Sequence, residues 1–200
     1  MLRVNCDSEG IRKATNIVKE GGIVVFPTDT VYGIGCDPFK KKSVDKIYKI
    51  KNRSKTKPFP VLVHSMKEAR QIADFDLDSM RLAEKFWPGP LTLILKLKDL
   101  NLGKSLEIEG KIALRIPNNR CLLDLLSNCK FLIGTSANIS GEVSFTDPEE
   151  CFKKIIDFDV FVDGGNLENK GESTILEMKE GKPIIHRSGA LRKEEILELF

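Results

Sequence analysis

Short apolar runs recur along this chain, and most of them stop abruptly at hydroxyl, amide or glycine residues. Residues 23–26, 60–63, 91–97, 112–116, 131–133 and 160–162 are each long enough for a strand and too short for a separate helix. The first is the most constraining. Gly21 and Gly22 break the chain before it, and it delivers Thr28, Asp29, Thr30 and Tyr32 into a segment closed by Gly33 and Gly35. A strand end that switches from apolar to hydroxyl-rich is where an open α/β sheet places a ligand.

Between these runs the apolar period changes to that of helices. Ile11, Ala14, Ile17 and Val18 share one face, as do Val44, Ile47 and Tyr48. Ser65 and Glu68 have capping-box spacing, and Pro88-Gly89-Pro90 halts a helix that reaches Phe86 and Trp87. Asn118 or Asn119 is placed to cap a helix carrying Leu122, Leu125 and Leu126. Asp147-Pro148-Glu149-Glu150 combines an N-cap, a first-turn proline and two acids at the positive end of the dipole. Residues 98–110 read as a loop, and residues 173–177 and 183–187 as a hairpin before a short final helix. Strands alternating with helices, plus that hairpin, give an α/β (α+β) class with a mixed sheet in one domain over residues 1–200.

Charge is concentrated. The net charge is only +3, yet residues 40–57 hold nine Lys or Arg and a single acid, Asp45, which leaves the remainder at −5. Such a run is either a solvated helix face or the seat of an anionic ligand. Five cysteines without a CxxC pair, together with only two histidines, argue against a disulfide framework and against a protein-bound metal. Acids precede any apolar run and the longest apolar run contains Lys96, so neither a signal peptide nor a membrane span is expected and a cytoplasmic location is.

Two nucleotide signatures fail. Gly103-Lys104-Ser105 resembles the end of a phosphate-binding loop, but its first glycine position is Lys98. Gly33-Ile34-Gly35 begins a dinucleotide fingerprint whose third glycine is Pro38. What remains is a pattern: Thr28 and Thr30, Arg115, Ser136 with Asn138, Asp163 and Arg187 each stand at the end of a different run. Brought together, they would form a pocket of hydroxyls, an amide and two guanidiniums able to orient a small polar anion. Lys51, Arg53 and Lys57 would neutralise a triphosphate beside it.

The ordered motifs FPTDTVYGIG (26–35), KNR then KPFPVLV (51–63), FWPGPLT (86–92), IALRIP (112–117), TSAN (135–138), DGG with GESTI (163–175) and HRSGA (186–190) resemble the YrdC/Sua5 family of threonylcarbamoyl-AMP synthases over residues 11–190. The resemblance implies a twisted sheet flanked by helices around a deep basic cavity. It also implies synthesis of L-threonylcarbamoyl-adenylate from L-threonine, bicarbonate and ATP, with release of pyrophosphate. That product serves N6-threonylcarbamoyladenosine formation at position 37 of tRNA through separate transferase proteins, and direct contact with tRNA is left open. By motif position, Thr30, Arg115, Ser136 and Ser173 would contact threonine. Arg53, Lys57, Asn138, Thr146 and Arg187 would contact ATP, with Lys51 and Arg53 as the catalytic pair and Mg²⁺ arriving with the nucleotide. A histidine that some relatives use for threonine is Leu62 here, with His64 two residues on. The C-terminal extension of long members is not expected. The alternative is an RNA-binding or regulatory protein on the same fold, since a basic concave surface also suits phosphate backbones.

Overall fold

The computed structural model describes residues 1–168 and 171–200. The chain opens with strand β1 (Leu2–Asn5) and helix α1 (Ser8–Lys19), which Asp7 caps by accepting from the Gly10 N–H at 2.8 Å. Strands β2 (Val24–Phe26) and β3 (Gly33–Cys36) follow, then helix α2 (Lys41–Ile50), strand β4 (Val61–Val63), helix α3 (Met66–Ile72) and strand β5 (Ala73–Asp74). Helix α4 (Leu77–Phe86) leads through the Trp87-Pro88 cis peptide into strand β6 (Leu91–Leu97). Helix α5 (Leu100–Leu106), strand β7 (Lys111–Arg115), helix α6 (Arg120–Cys129) and strand β8 (Phe131–Ser136) come next. The chain closes with helix α7 (Pro148–Lys154), strand β9 (Val160–Asp163), the hairpin β10 (Thr174–Lys179) and β11 (Lys182–Arg187), and helix α8 (Lys193–Leu197).

All these strands form one mixed sheet in the order β1-β9-β2-β3-β8-β4-β7-β6-β10-β11, with β5 added to β6. The pleat sorts its side chains into two faces. On β6, Leu91, Leu93, Leu95 and Leu97 join the larger core, along with Val61, Val63, Ile112, Leu114 and Ile133 from neighbouring strands. The opposite face is covered only in part. Helices α1 and α6 pack on it through Ile11, Ala14, Val18, Leu122, Leu125 and Leu126, against Val24, Phe26 and Leu132. Beyond those helices the same face carries Thr92, Ile94, Ala113, Arg115 and Ile175, which line a cavity instead of a core.

Three expectations are corrected. Residues 98–110 are not a loop. Asp99 accepts from the N–H groups of Asn101 and Leu102 at 2.9 and 3.1 Å and starts α5, and Leu102 is fully buried. Gly103, part of the failed phosphate-loop motif, lies within α5, where a Cβ would stand 2.7 Å from Leu97 Cδ2 and 3.1 Å from the Ile108 carbonyl oxygen. Gly33-Ile34-Gly35 is a strand rather than the closing of a ligand loop. The Phe26 ring covers both glycines, and a Cβ at Gly35 would also sit 2.0 Å from the Ile133 carbonyl oxygen. Finally, a disulfide joins Cys6 to Cys121 and ties the turn after β1 to α6, while Cys36, Cys129 and Cys151 are free. Among the described residues no helix is long and apolar enough to cross a membrane.

Candidate active site

The uncovered part of the sheet forms a cleft with two chambers. The inner chamber, about 640 Å³, lies over β4, β7, β6 and β10 with an apolar floor of Leu62, Ala113, Ile94 and Ile175. The outer chamber, about 590 Å³, lies between the end of α2 and the loop after β8. Arg53, Lys57, Thr135, Ser136, Glu172 and Arg187 line both, so the two meet at a shared neck.

Thr28 shapes the inner wall without being free to act. Its hydroxyl donates to the Val31 carbonyl at 2.7 Å and accepts from the N–H groups of Thr30 and Val31. Its one proton is therefore committed, and the Thr30 hydroxyl lies 2.9 Å away, sharing that crowded oxygen with the two N–H groups. The Thr30 oxygen also accepts from both terminal nitrogens of Arg115, 3.4 Å away. Arg115 is buried and held from two further sides, by the Gly89 carbonyl at 3.0 Å and by Asp29 Oδ1 at 2.6 Å. The Trp87–Pro90 turn is thus a brace for Arg115. Burial depresses the Arg115 pKa and the Asp29 carboxylate opposes that, which leaves the guanidinium charged.

At the neck Arg187 donates to the Ser173 carbonyl and hydroxyl at 2.8 and 2.9 Å, and Ser173 is linked to Thr92 at 2.9 Å. Arg187 also forms an ion pair with Glu172, whose other oxygen accepts from Ser144 at 2.7 Å. Burial alone would raise the Glu172 carboxyl, but Ser144, Arg187, Ser136 and Lys51 together hold it below the ordinary carboxylate range. Among the described residues no cluster of three or more metal-ligating side chains is present.

The outer chamber is built on Lys51. This residue follows the last turn of α2 and is 1% exposed. Its ammonium donates to the Ser136 carbonyl and to the backbone and side-chain oxygens of Asn138. Burial first, then the neighbouring Arg53, lower its pKa to about 8. Asn138 is held in turn by Ser136 Oγ at 2.6 Å and donates to the Glu142 carbonyl at 2.6 Å. Arg53 folds over its own loop, with Nε on the Lys57 carbonyl at 2.8 Å and the guanidinium 5.1 Å from the Phe59 ring centroid.

Nine of the ten residues that the family resemblance places at the site therefore line the cleft: Thr30, Lys51, Arg53, Lys57, Arg115, Ser136, Asn138, Ser173 and Arg187. Thr146 does not. Its carbonyl accepts from Leu167 N–H, and Ser144 two residues earlier takes the place in the wall. Asp163 is also elsewhere, paired with Arg3 at 2.6 Å. His64 is exposed and lines neither chamber, whereas Leu62 does. Glu172 in the cleft wall and Asp29 behind Arg115 are not expected from the sequence. Both lie inside the motifs FPTDTVYGIG and GESTI, but a carboxylate among anion ligands carries no local signal of its role.

A family model for Sua5, YciO and YrdC proteins, described as "Telomere recombination", matches residues 16–189. The chain belongs to the Sua5/YciO/YrdC family. Within it, a threonylcarbamoyl-AMP synthase of Pyrococcus abyssi is 33% identical over 201 residues, spanning 98% of this chain and 58% of that protein. The solved structure of P. abyssi Sua5 complexed with L-threonine matches with a TM-score of 0.89 at 30% identity, covering 99% of this chain and 60% of that one. Escherichia coli YciO matches with a TM-score of 0.83 at 26% identity, and the match covers 94% of each chain. This Sua5/YciO/YrdC chain is thus about three-fifths the length of the P. abyssi synthase it matches and close to the length of YciO.

Proposed function

We propose that the protein makes L-threonylcarbamoyl-adenylate from L-threonine, bicarbonate and ATP and releases pyrophosphate. The reaction joins the amine of threonine to the carbon of bicarbonate with loss of water. A carbamate oxygen then bonds to the α-phosphorus of ATP as the bond to pyrophosphate breaks. The observation that carries this reading is the shared neck: a hydroxyl-lined chamber and a cationic chamber meet at Arg53, Lys57, Ser136 and Arg187. Two substrates held in adjoining chambers gain in rate from orientation alone. The threonine bound in the P. abyssi relative supports the same ligand here.

In this reading Arg115 receives the carboxylate of threonine, while Thr30, Ser136 and Ser173 receive its other polar groups. Arg53, Lys57 and Arg187 receive phosphate oxygens, where cations stabilise charge that builds on the leaving pyrophosphate. Lys51 keeps the Ser136–Asn138 loop in place behind them and adds its charge. Thr146 is given no part. Mg²⁺ would arrive with the ATP phosphates. The adenylate would feed N6-threonylcarbamoyladenosine formation at position 37 of tRNA, in the cytoplasm, through separate transferases.

The test is pyrophosphate release with all three substrates, together with mass detection of the adenylate. Release that ignores threonine, or no release, overturns the proposal. A second reading, an RNA-binding or regulatory protein without synthase activity, draws on the near-equal length of E. coli YciO. Tight, salt-sensitive RNA binding without adenylate formation would favour it.

A further inference from the structure

We propose that Glu172 is the counter-ion for the ammonium group of the amino-acid substrate and so fixes which end of that substrate faces the nucleotide. This rests on the synthase reading. An amino acid enters as a zwitterion, and desolvating either charge without a partner is costly. Arg115 offers the inner chamber a buried cation for the carboxylate. Glu172 is the one acidic residue, among those described, that lines this chamber. It stands at the neck and lines the nucleotide side as well, which is where the amine must lie to be carbamoylated and joined to phosphorus.

The surroundings suit that duty. Glu172 precedes Ser173 and strand β10, and Ser144 and Arg187 each engage one of its oxygens. A carboxylate has about four acceptor sites, so capacity remains for an ammonium proton. Its carboxyl is held below the ordinary range, which keeps it ionised at neutral pH. Beyond its pairing with Arg187, this carboxylate brings negative charge beside an incoming triphosphate, a placement that an ammonium on the amino-acid side would offset.

The experiment measures binding of L-threonine and of 3-hydroxybutanoate, its analogue lacking the amine, by calorimetry without ATP or Mg²⁺. Wild-type protein should prefer threonine by about tenfold or more, as for a charge-assisted hydrogen bond. In Glu172→Gln, which keeps the shape and an acceptor for Ser144, threonine binding should weaken by about tenfold and the preference should approach parity. The KM for ATP is read separately, because Glu172 also pairs with Arg187 at the neck. A retained preference, or a loss confined to ATP or to Mg²⁺ dependence, would show that Glu172 only braces Arg187 or meets the metal. Should Glu172→Gln fail to fold, the wild-type preference decides alone, and its absence overturns the assignment. A wild-type protein that forms the adenylate while Glu172→Gln keeps the preference sinks this inference and spares the synthase reading. No threonine binding by wild type sinks both.

Discussion

Asn138 holds the Lys51 ammonium twice, through its backbone carbonyl at 2.7 Å and its side-chain oxygen at 3.0 Å. With the Ser136 carbonyl as a third acceptor, every proton of the ammonium has a place, and the link between the end of α2 and the loop after β8 depends on all of them. Replacing Lys51 by Met should cost about 1–3 kcal/mol for each buried oxygen left without a donor. Denaturant unfolding measures this, and ATP affinity should fall with it.

The same group sets a pH dependence. A neutral amine has two hydrogens for three acceptors, so ATP binding should weaken as pH rises through about 8. The contribution of Lys51 to stability runs the other way. Its pKa is lowered on folding from 10.5 to about 8, so between those values the unfolded chain holds more protons than the folded one. The burial penalty present below pH 8 is therefore relieved as pH rises toward 10.5. Titration of ATP affinity and of unfolding free energy from pH 7 to 10 should show opposite trends in wild type, and neither component in Lys51→Met.

Asp29 and Arg115 form an ion pair with side chains only 12% and 7% exposed. Removing one partner of a buried pair costs roughly 3–5 kcal/mol, so Asp29→Ala should be strongly destabilised. Asp29→Asn keeps an acceptor for Arg115 and for the Asn118 N–H, and should fold while showing a KM for threonine raised by about tenfold. Unchanged threonine kinetics in that variant would separate Asp29 from the site.

Lys55 and Lys57 are near neighbours in the basic run with different surroundings. Lys55 pairs with Asp45, while Lys57 lines both chambers. Lys57→Ala should raise the KM for ATP by about tenfold, as expected for a lost charged contact, and Lys55→Ala should leave it within about twofold. Steady-state kinetics on the two variants decides it.

Gly35 has no room for a side chain, since a methyl group would lie 2.0 Å from the Ile133 carbonyl oxygen and 3.0 Å from the Phe26 ring. Gly35→Ala should lose about 3 kcal/mol and lower the melting temperature by roughly 6–12 °C. Calorimetry reads this directly.

The strand ends were legible because apolar runs that stop at hydroxyls are local patterns. Thr30, Arg115, Ser136, Asn138 and Arg187 each stand at such an end and do converge. Which strand ends converge is not local. Asp163 looked equivalent, but sheet order sets β9 beside β1, where Arg3 neutralises it. The basic run read as one electrostatic feature, yet Lys41 and Lys55 are matched by Glu107 and Asp45, and Glu107 follows a helix that periodicity did not reveal. Lys51 carried the right charge, but its direction depends on a loop 85 residues away. Gly33 and Gly35 suggested a turn because the ring that covers them stands on the preceding strand.

The last two strands bring a different kind of consequence. Hairpin β10–β11 joins the sheet through parallel pairing of β10 with β6, from Thr174 opposite Leu91 to Glu177 opposite Ile94. Ser173 and Arg187 reach the cleft only once that pairing has formed, whereas Thr30 and Arg53 come from the first third of the chain. A chain in which that pairing has not formed lacks two of the residues that line the cleft. Ligands that bind only the paired state draw the folding equilibrium toward it by mass action. Substrate binding and docking of the β10–β11 hairpin are thus coupled.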